Sequence, residues 1–217
     1  MTELIEIVSK YNYPPRLFDF ESNKEIIFDS YRNLEGYLRE NLMSNDLSSV
    51  NNGLSNVLYW GHYRAGYRDV RVERFKAKIT NDKLEKFQRL IIKNDYNCLT
   101  IKSLGMPEFS GLAFVSKVLM FLDPHKYVTL DKKIMQLSDH KNLKNPLSNI
   151  KFGGKDTTIR ISQNTHLSYT LWCELCKKIA DENFQDKLPV DIERGFFKLV
   201  ENKDIEIAKR IIREQTN

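Results

Sequence analysis

The sequence predicts a mostly α-helical protein, and three observations support that prediction. Apolar side chains recur at three- and four-residue spacing through most of the 217 residues. Ser, Asn and Asp residues stand just before several of these stretches, as helix N-caps do. The alternation typical of a strand is convincing only on the two sides of one Gly-Gly turn. We therefore expect a single compact unit of two helical lobes spanning 1–217, with one small β-hairpin at about 150–162.

Helices are predicted in chain order wherever the apolar spacing is regular and a cap or breaker marks an end. The predicted helical segments are roughly 24–43, 47–58, 70–79, 82–93, 165–182 and 204–213. A shorter helix is expected over Lys132–Leu137, directly after Asp131. Cys173 and Cys176 fall inside the 165–182 pattern, where they are expected to be small helix residues rather than a metal or redox pair.

Composition excludes several classes of protein. No run approaches the roughly 18 apolar residues of a membrane span, and the N-terminus lacks the basic and apolar pattern of a secretory signal. Three cysteines indicate a reducing compartment and are too few for a four-cysteine iron–sulfur cluster. We therefore expect a cytoplasmic protein with no membrane contact, no metal cluster and no cofactor. The net charge of +5 is compatible with a nucleic-acid partner but does not require one.

The most informative segment is 101–134, which reads IKSLGMPEFSGLAFVSKVLMFLDPHKYVTLDKKI. It predicts a helix, a tight turn broken at Gly105 and Gly111, a second apolar helix, a loop and a solitary Asp131. Such a hairpin can turn the backbone N–H groups at the start of the second helix outward, where they bind phosphate. Gly105, Ser110 and Gly111 are therefore candidate DNA contacts.

These residues resemble the helix–hairpin–helix DNA glycosylases, and within them the 8-oxoguanine glycosylase branch. The resemblance covers about 99–137 and depends on Leu119–Asp123 followed by Val128–Asp131, which places Asp131 on the family's essential aspartate. It implies a two-lobed glycosylase-like fold with its helix–hairpin–helix and catalytic segment at about 98–138. It also implies a monomer that excises an oxidised or otherwise modified base from DNA, in repair or in anti-phage defence, and that is nucleoid-associated when bound to DNA.

Two departures from the family pattern concern the hairpin and the nucleophile. The hairpin is not the usual Leu-Pro-Gly-Val-Gly, and Leu112 stands where the family carries a nucleophilic lysine. The lysine on this helix is Lys117, turned by about 140° from that position. If Lys117 is buried and attacks the sugar, the enzyme is also a lyase; otherwise Asp131 activates water. The alternatives are a structural Lys117, reaching solvent or paired with Asp123, and an Asp131 that only caps a helix.

An aromatic and basic segment at 59–74 is the second candidate contact region. Its arginines, spaced as on one helical face, are predicted to hold phosphates, and its aromatic rings to line a base pocket. The predicted phosphate contacts are Arg64, Arg68 and Arg71, and the predicted pocket residues are Trp60, Tyr63 and Tyr67. The alternative is that the aromatic residues pack a core and the arginines form a solvated face. Lys132 and Lys133 beside Asp131 are further candidate DNA contacts, or simply surface residues.

Three functions therefore remain open. The first is a DNA glycosylase, with or without lyase activity. The second is a catalytically silent DNA-binding module of the same fold, and the third is a helical protein–protein adaptor.

Overall fold

The computed structural model describes residues 1–152 and 158–216. Within them the chain is mostly helical and carries one small two-stranded antiparallel sheet, which confirms the predicted fold class. The ten α-helices are α1 (Thr2–Val8), α2 (Tyr31–Leu42), α3 (Leu47–Gly61), α4 (Arg68–Lys78), α5 (Asn81–Ile92), α6 (Cys98–Ser103), α7 (Leu112–Leu122), α8 (Gln163–Asn183), α9 (Pro189–Glu201) and α10 (Ile205–Thr216). The strands are β1 (Arg16–Asp19) and β2 (Lys24–Ile27), and two 3₁₀ turns cover Ile134–Leu137 and Pro146–Asn149.

The chain divides into two compact units. The central unit is Tyr13–Asp123, and the terminal unit combines Met1–Asn12 with Pro124–Asn217. The predicted catalytic segment at 98–138 therefore contributes its hairpin and α7 to the central unit, whereas Asp131 belongs to the terminal unit.

Helix α3 is the centre of the central unit, because it packs against α2, α4, α5, α7 and β1. Asp46 caps it by accepting a hydrogen bond from the Ser49 N–H, as the sequence predicts. The face of α3 toward the core is apolar. Helix α7 also has an apolar face toward the core, and nine of its eleven residues are buried. Burial of these two apolar faces is the main favourable term in this unit.

The two helices come very close at Gly61, the last residue of α3. A Cβ atom at that position would lie 2.6 Å from Cε1 of Phe114 and 3.0 Å from Cδ of Lys117, both on α7. A Cβ atom at this position would therefore force the Phe114 ring and the Lys117 stem to shift, since real Cβ atoms do not approach other heavy atoms so closely.

In the terminal unit, α9 packs against α1, α8, α10 and the 3₁₀ turn Ile134–Leu137. Trp172 of α8 and Phe196 of α9 are fully buried and in ring contact at 5.4 Å. Cys173 and Cys176 are buried residues of α8, as predicted. Pro189 is the first residue of α9, a position that suits proline because the amide there has no helical acceptor.

The position of the small sheet differs from the prediction. Helix was predicted over 24–43, but 24–27 forms β2 and pairs with β1, with Arg16 opposite Ile27. Asn23 adopts φ 56° in the connecting turn instead of capping a helix, and α2 begins only after Ser30 caps it. The spacing of Ile26, Ile27 and Tyr31 suits either structure, and pairing with a strand upstream decided between them.

The hairpin expected at 150–162 is not formed by the residues of that segment that the structure describes, 150–152 and 158–162. Its Gly-Gly turn lies among 153–157, outside the described residues. Ile150, Ile159 and Ile161 are buried, so the alternating pattern reflects side chains that enter the core, and Arg160 forms a single β-bridge rather than part of a hairpin. The helix expected at Lys132–Leu137 is a short 3₁₀ turn.

Searches for two further features were negative over the described parts of the chain. None of the helices there is long and apolar enough to cross a membrane. No cluster of three or more His, Cys, Asp or Glu side chains suited to a metal ion occurs in residues 1–152 and 158–216.

The close approach at Gly61 yields a stability prediction. Gly61→Ala is expected to lower the free energy of unfolding by about 1–2 kcal/mol, because the added methyl group displaces the Phe114 ring. Gly36→Ala is the matched control, since Gly36 lies exposed inside α2 with open space around its Cα. That control should raise the free energy of unfolding by about 0.5–1 kcal/mol. Equal effects of the two substitutions in chemical denaturation would contradict the proposed packing.

Candidate functional site

The predicted hairpin forms between α6 and α7. The chain leaves α6 at Ser103, turns through Gly105 (φ 59°) and Glu108 (φ 66°), and enters α7 after an extended Gly111. A positive φ costs glycine little and a residue with a side chain more, so Gly105 fits its place better than Glu108 does. Met106 and Phe109 are buried, and Ser110 is exposed. The two buried side chains anchor the turn, and the exposed one lies at its outer edge.

The start of α7 has the properties of an anion site. The first backbone N–H groups of an α-helix have no acceptor within the helix, and the helix dipole places positive potential there. Gly111 is the N-cap residue and has no side chain with which to occupy those groups. These are the groups that the predicted phosphate contacts at Gly105, Ser110 and Gly111 would use.

Two arginines of α4 hold the hairpin. Arg71 Nη1 lies 2.7 Å from Glu108 Oε2, and Arg74 Nη1 lies 3.5 Å from Oε1 of the same carboxylate. Lys83 donates a hydrogen bond to the Gly105 carbonyl from α5. The Glu108 carboxylate thus compensates the strained backbone at its own position through two ion pairs. Arg71, a predicted phosphate contact, is occupied by this carboxylate while its side chain remains 40% exposed.

The other two predicted phosphate arginines are stacked on rings. The Arg68 guanidinium lies 4.1 Å from the centre of the Tyr59 ring and also pairs with Asp69. Arg64 lies over the Tyr13 ring at 4.9 Å. Arg64 stands between α3 and α4, not on a helix. The expectation that Arg64, Arg68 and Arg71 share one helical face is therefore wrong, because α4 begins only at Arg68.

The three predicted base-pocket residues have different environments. Trp60 is only 4% exposed and packs edge-on against Phe121 of α7, which makes it a core residue. Tyr63 is half-buried, and its hydroxyl accepts a long hydrogen bond of 3.4 Å from Arg16. Tyr67 is 53% exposed and packs edge-on against His62. Only Tyr67 offers a largely open ring for stacking.

Lys117 lies inside the central unit. Its side chain is 7% exposed, its Nζ donates to the Ala113 carbonyl one turn earlier at 3.0 Å, and its ammonium lies 5.2 Å from the centre of the Phe114 ring. Its stem runs past Gly61 of α3. Lys117 is therefore buried, and the alternative of a side chain reaching solvent does not hold. The family's lysine position is filled by Leu112, which is fully buried.

His62 was not singled out from the sequence, although it lies beside Lys117. Its ring packs on the Phe114 ring with centres 4.3 Å apart. Burial lowers the pKa of His62 to about 4, and the positive charges of Lys117 and Arg71 act in the same direction, while Glu108 opposes them. The imidazole is therefore neutral at neutral pH, and its burial and the nearby positive charges disfavour its protonation. The proximity of His62 and Lys117 is visible only in the folded structure, through the contact of His62 with Phe114, which is 52 residues away in sequence.

Asp131, in the terminal unit, begins the short 3₁₀ turn. Its Oδ1 accepts hydrogen bonds from the N–H groups of Lys133 (2.8 Å) and Ile134 (3.2 Å). This is the capping role predicted as an alternative, and it leaves Oδ2 as the oxygen that can meet a substrate. Lys132 is exposed, whereas Lys133 pairs with Glu201 at 2.8 Å and lies over the Phe197 ring. Lys132 is thus the more accessible of the two predicted phosphate contacts.

Comparison with known protein families, with curated proteins and with solved structures gave no match for this chain. The resemblance of residues 99–137 to the helix–hairpin–helix glycosylases therefore stays a prediction.

The lowered pKa of His62 predicts a pH-dependent stability. A histidine whose pKa is lower in the folded protein binds fewer protons there than in the unfolded chain, so its stabilising effect is complete above pH 6.5 and is lost as the pH falls toward 4. His62→Gln should reduce the loss in unfolding free energy between pH 7 and pH 5 by about 1 kcal/mol, allowing for solvent screening. Denaturant titrations at the two pH values test this. A loss of the same size in both proteins would contradict it.

Proposed function

We propose that this protein binds duplex DNA through the α6–α7 hairpin and removes an oxidised or otherwise modified base by cleaving its N-glycosidic bond. The observation that carries the proposal is the hairpin itself, with its left-handed Gly105 and a start of α7, after Gly111, that no side chain caps. A site of this kind binds the backbone of a duplex without reading its sequence. Chemistry on a base then requires the nucleotide to be turned out of the helix.

The base-removal step is assigned to Asp131. Breaking the N-glycosidic bond leaves the electron pair on the departing base and positive charge on the sugar. A carboxylate near that sugar stabilises the charge and can take a proton from the attacking water. Asp131 is held in one orientation by two backbone N–H groups at Oδ1, which leaves Oδ2 for this task. Its exposed neighbour Lys132 supplies a phosphate contact beside it.

An additional lyase step is assigned to Lys117. A neutral amine would attack the sugar carbon with its lone pair and, after loss of water, form a Schiff base that promotes strand cleavage. Lys117 would have to lose a proton before it could attack, and its side chain lies buried beside His62. The amine must also give up its hydrogen bond to the Ala113 carbonyl before it can attack.

A catalytically silent DNA-binding module is the second candidate, and a specific observation favours it. Leu112 occupies the family's lysine position and is fully buried, while the Lys117 amine is engaged within its own helix. In this alternative Lys117 is structural, Asp131 only caps the 3₁₀ turn, and the hairpin keeps its affinity for phosphate.

DNA binding through the hairpin is tested by introducing a negatively charged side chain at the outer edge of the hairpin. Ser110→Glu is expected to weaken binding to a duplex by about tenfold or more, because the added carboxylate repels the phosphate that approaches α7. Ser48→Glu adds the same charge at the start of α3 and should leave binding nearly unchanged. Fluorescence anisotropy at several salt concentrations measures both, since phosphate binding must weaken as salt rises. Salt-insensitive binding, or equal effects of both substitutions, would favour the protein–protein adaptor.

The chemistry is tested on duplexes carrying 8-oxoguanine and other modified bases, with borohydride to trap a Schiff base. A trapped adduct that Lys117→Met abolishes supports the lyase step, and this substitution keeps the buried apolar stem. Base release that survives Lys117→Met but is lost in Asp131→Asn supports attack by water, and Asn retains the capping role. If the folded protein binds these duplexes and releases none of the bases, it is the silent module.

A further inference from the structure

A cavity of about 300 Å³ lies in the central unit between the β1–β2 sheet and helices α3 and α4. Its apolar wall consists of Phe18, Phe20, Tyr59 and Val72. The cavity is at the lower end of the size range of small-molecule sites, so it suits one compact ligand. None of the residues proposed for base removal lines it.

The aromatic part of the wall is a stacked platform. Phe18 lies 5.2 Å from Tyr59 with the two rings inclined by 31°, and the Arg68 guanidinium lies 4.1 Å from the centre of the Tyr59 ring. The Tyr59 hydroxyl donates a hydrogen bond of 2.6 Å to Glu25 of β2, which fixes the ring. Flat rings and guanidinium planes are the surfaces on which nucleobases stack.

The charged groups that line the cavity are balanced, with Arg68 and Lys76 against Asp69 and Glu73. Lys76 lies over the Phe20 ring at 4.4 Å, so this ring already has a cation above it, as Tyr59 has Arg68. Arg68 is paired with Asp69, but Lys76 forms no ion pair with the part of the chain that the structure describes. Lys76 is therefore the charge in the cavity wall that an anionic group can neutralise.

The acceptors in the wall define the remaining chemistry. Asp69 and Glu73 of α4 bring carboxylates to the same cavity, and Asn23 brings an amide from the turn between β1 and β2. Carboxylates accept hydrogen bonds from amino groups, and an amide both donates and accepts. A flat ring with amino groups and a nearby anion matches the whole lining.

We infer that this cavity binds a nucleotide, with the base against the Phe18 ring and the Arg68 guanidinium, which cover the buried Tyr59 ring, and the phosphate at Lys76. The ligand is either a free mononucleotide or one nucleotide of a DNA strand, since the two share this chemistry. The inference goes beyond the proposed base removal and is tested without it, so either can fail while the other holds.

Isothermal titration calorimetry with adenosine 5′-monophosphate, adenosine and a five-nucleotide single-stranded DNA tests the site. Lys76→Gln should weaken binding of the monophosphate by about tenfold or more and leave binding of adenosine nearly unchanged, because only the phosphate contacts Lys76. Phe20→Leu should weaken binding of both ligands, because it removes a flat ring from the cavity wall. Leucine keeps most of the apolar volume. Lys78→Gln, at an exposed position of the same helix outside the cavity, is the matched control and should change neither.

The source of the ligand follows from the same titrations. Binding of the monophosphate alone, dependent on Lys76, identifies a free nucleotide as the ligand. Binding of the short strand alone, with the same dependence, identifies a nucleotide of DNA. The inference is overturned if the wild-type protein binds neither ligand, or if Lys78→Gln weakens binding as much as Lys76→Gln in variants whose melting temperatures match the wild type.

Discussion

The close packing of α3 on α7 at Gly61 is the constraint on which the central unit depends. Without a side chain at this residue, the Phe114 ring and the Lys117 stem can lie directly against the end of α3. That contact fixes where α7 lies, and therefore where its first N–H groups and its buried amine are found. The same contact brings His62 onto Phe114, where burial and nearby positive charge keep the imidazole neutral. The absence of a side chain at Gly61 thus allows Phe114 and Lys117 to occupy their observed positions beside α3.

Many basic side chains of the central unit already interact with other groups of the same unit. Arg71 and Arg74 neutralise Glu108, Arg68 pairs with Asp69 and covers Tyr59, and Lys83 is bonded to the hairpin backbone. These interactions order the hairpin and the rim of the sheet-side cavity, and they reduce the positive charge free for a polyanion. The proposed DNA contact at the hairpin therefore depends mainly on backbone N–H groups, which need no charged side chain.

In the proposed function, Asp131 combines a structural role and a chemical role in one side chain. One oxygen caps the 3₁₀ turn, and this fixes the direction of the other. A carboxylate that must act at a defined point gains from such fixation, because its position is settled before a ligand arrives. The terminal unit provides this by placing Lys133 in an ion pair with Glu201, so that the turn itself is tied to α9.

The sequence by itself determined the features that depend on neighbours within a few residues. Periodic apolar spacing located α3, α5, α7 and α8, glycine spacing located the hairpin, and the capping place of Asp131 followed from the residues just after it. Only the tertiary structure decided the pairing of β1 with β2, the partnership of Arg71 with Glu108 and the position of His62 beside Lys117. The strand pairing involves segments whose apolar spacing suits either a strand or a helix. The other two contacts join side chains that are 37 or more residues apart in sequence. The free energy that selects them comes from packing and charge neutralisation, which a local pattern does not contain.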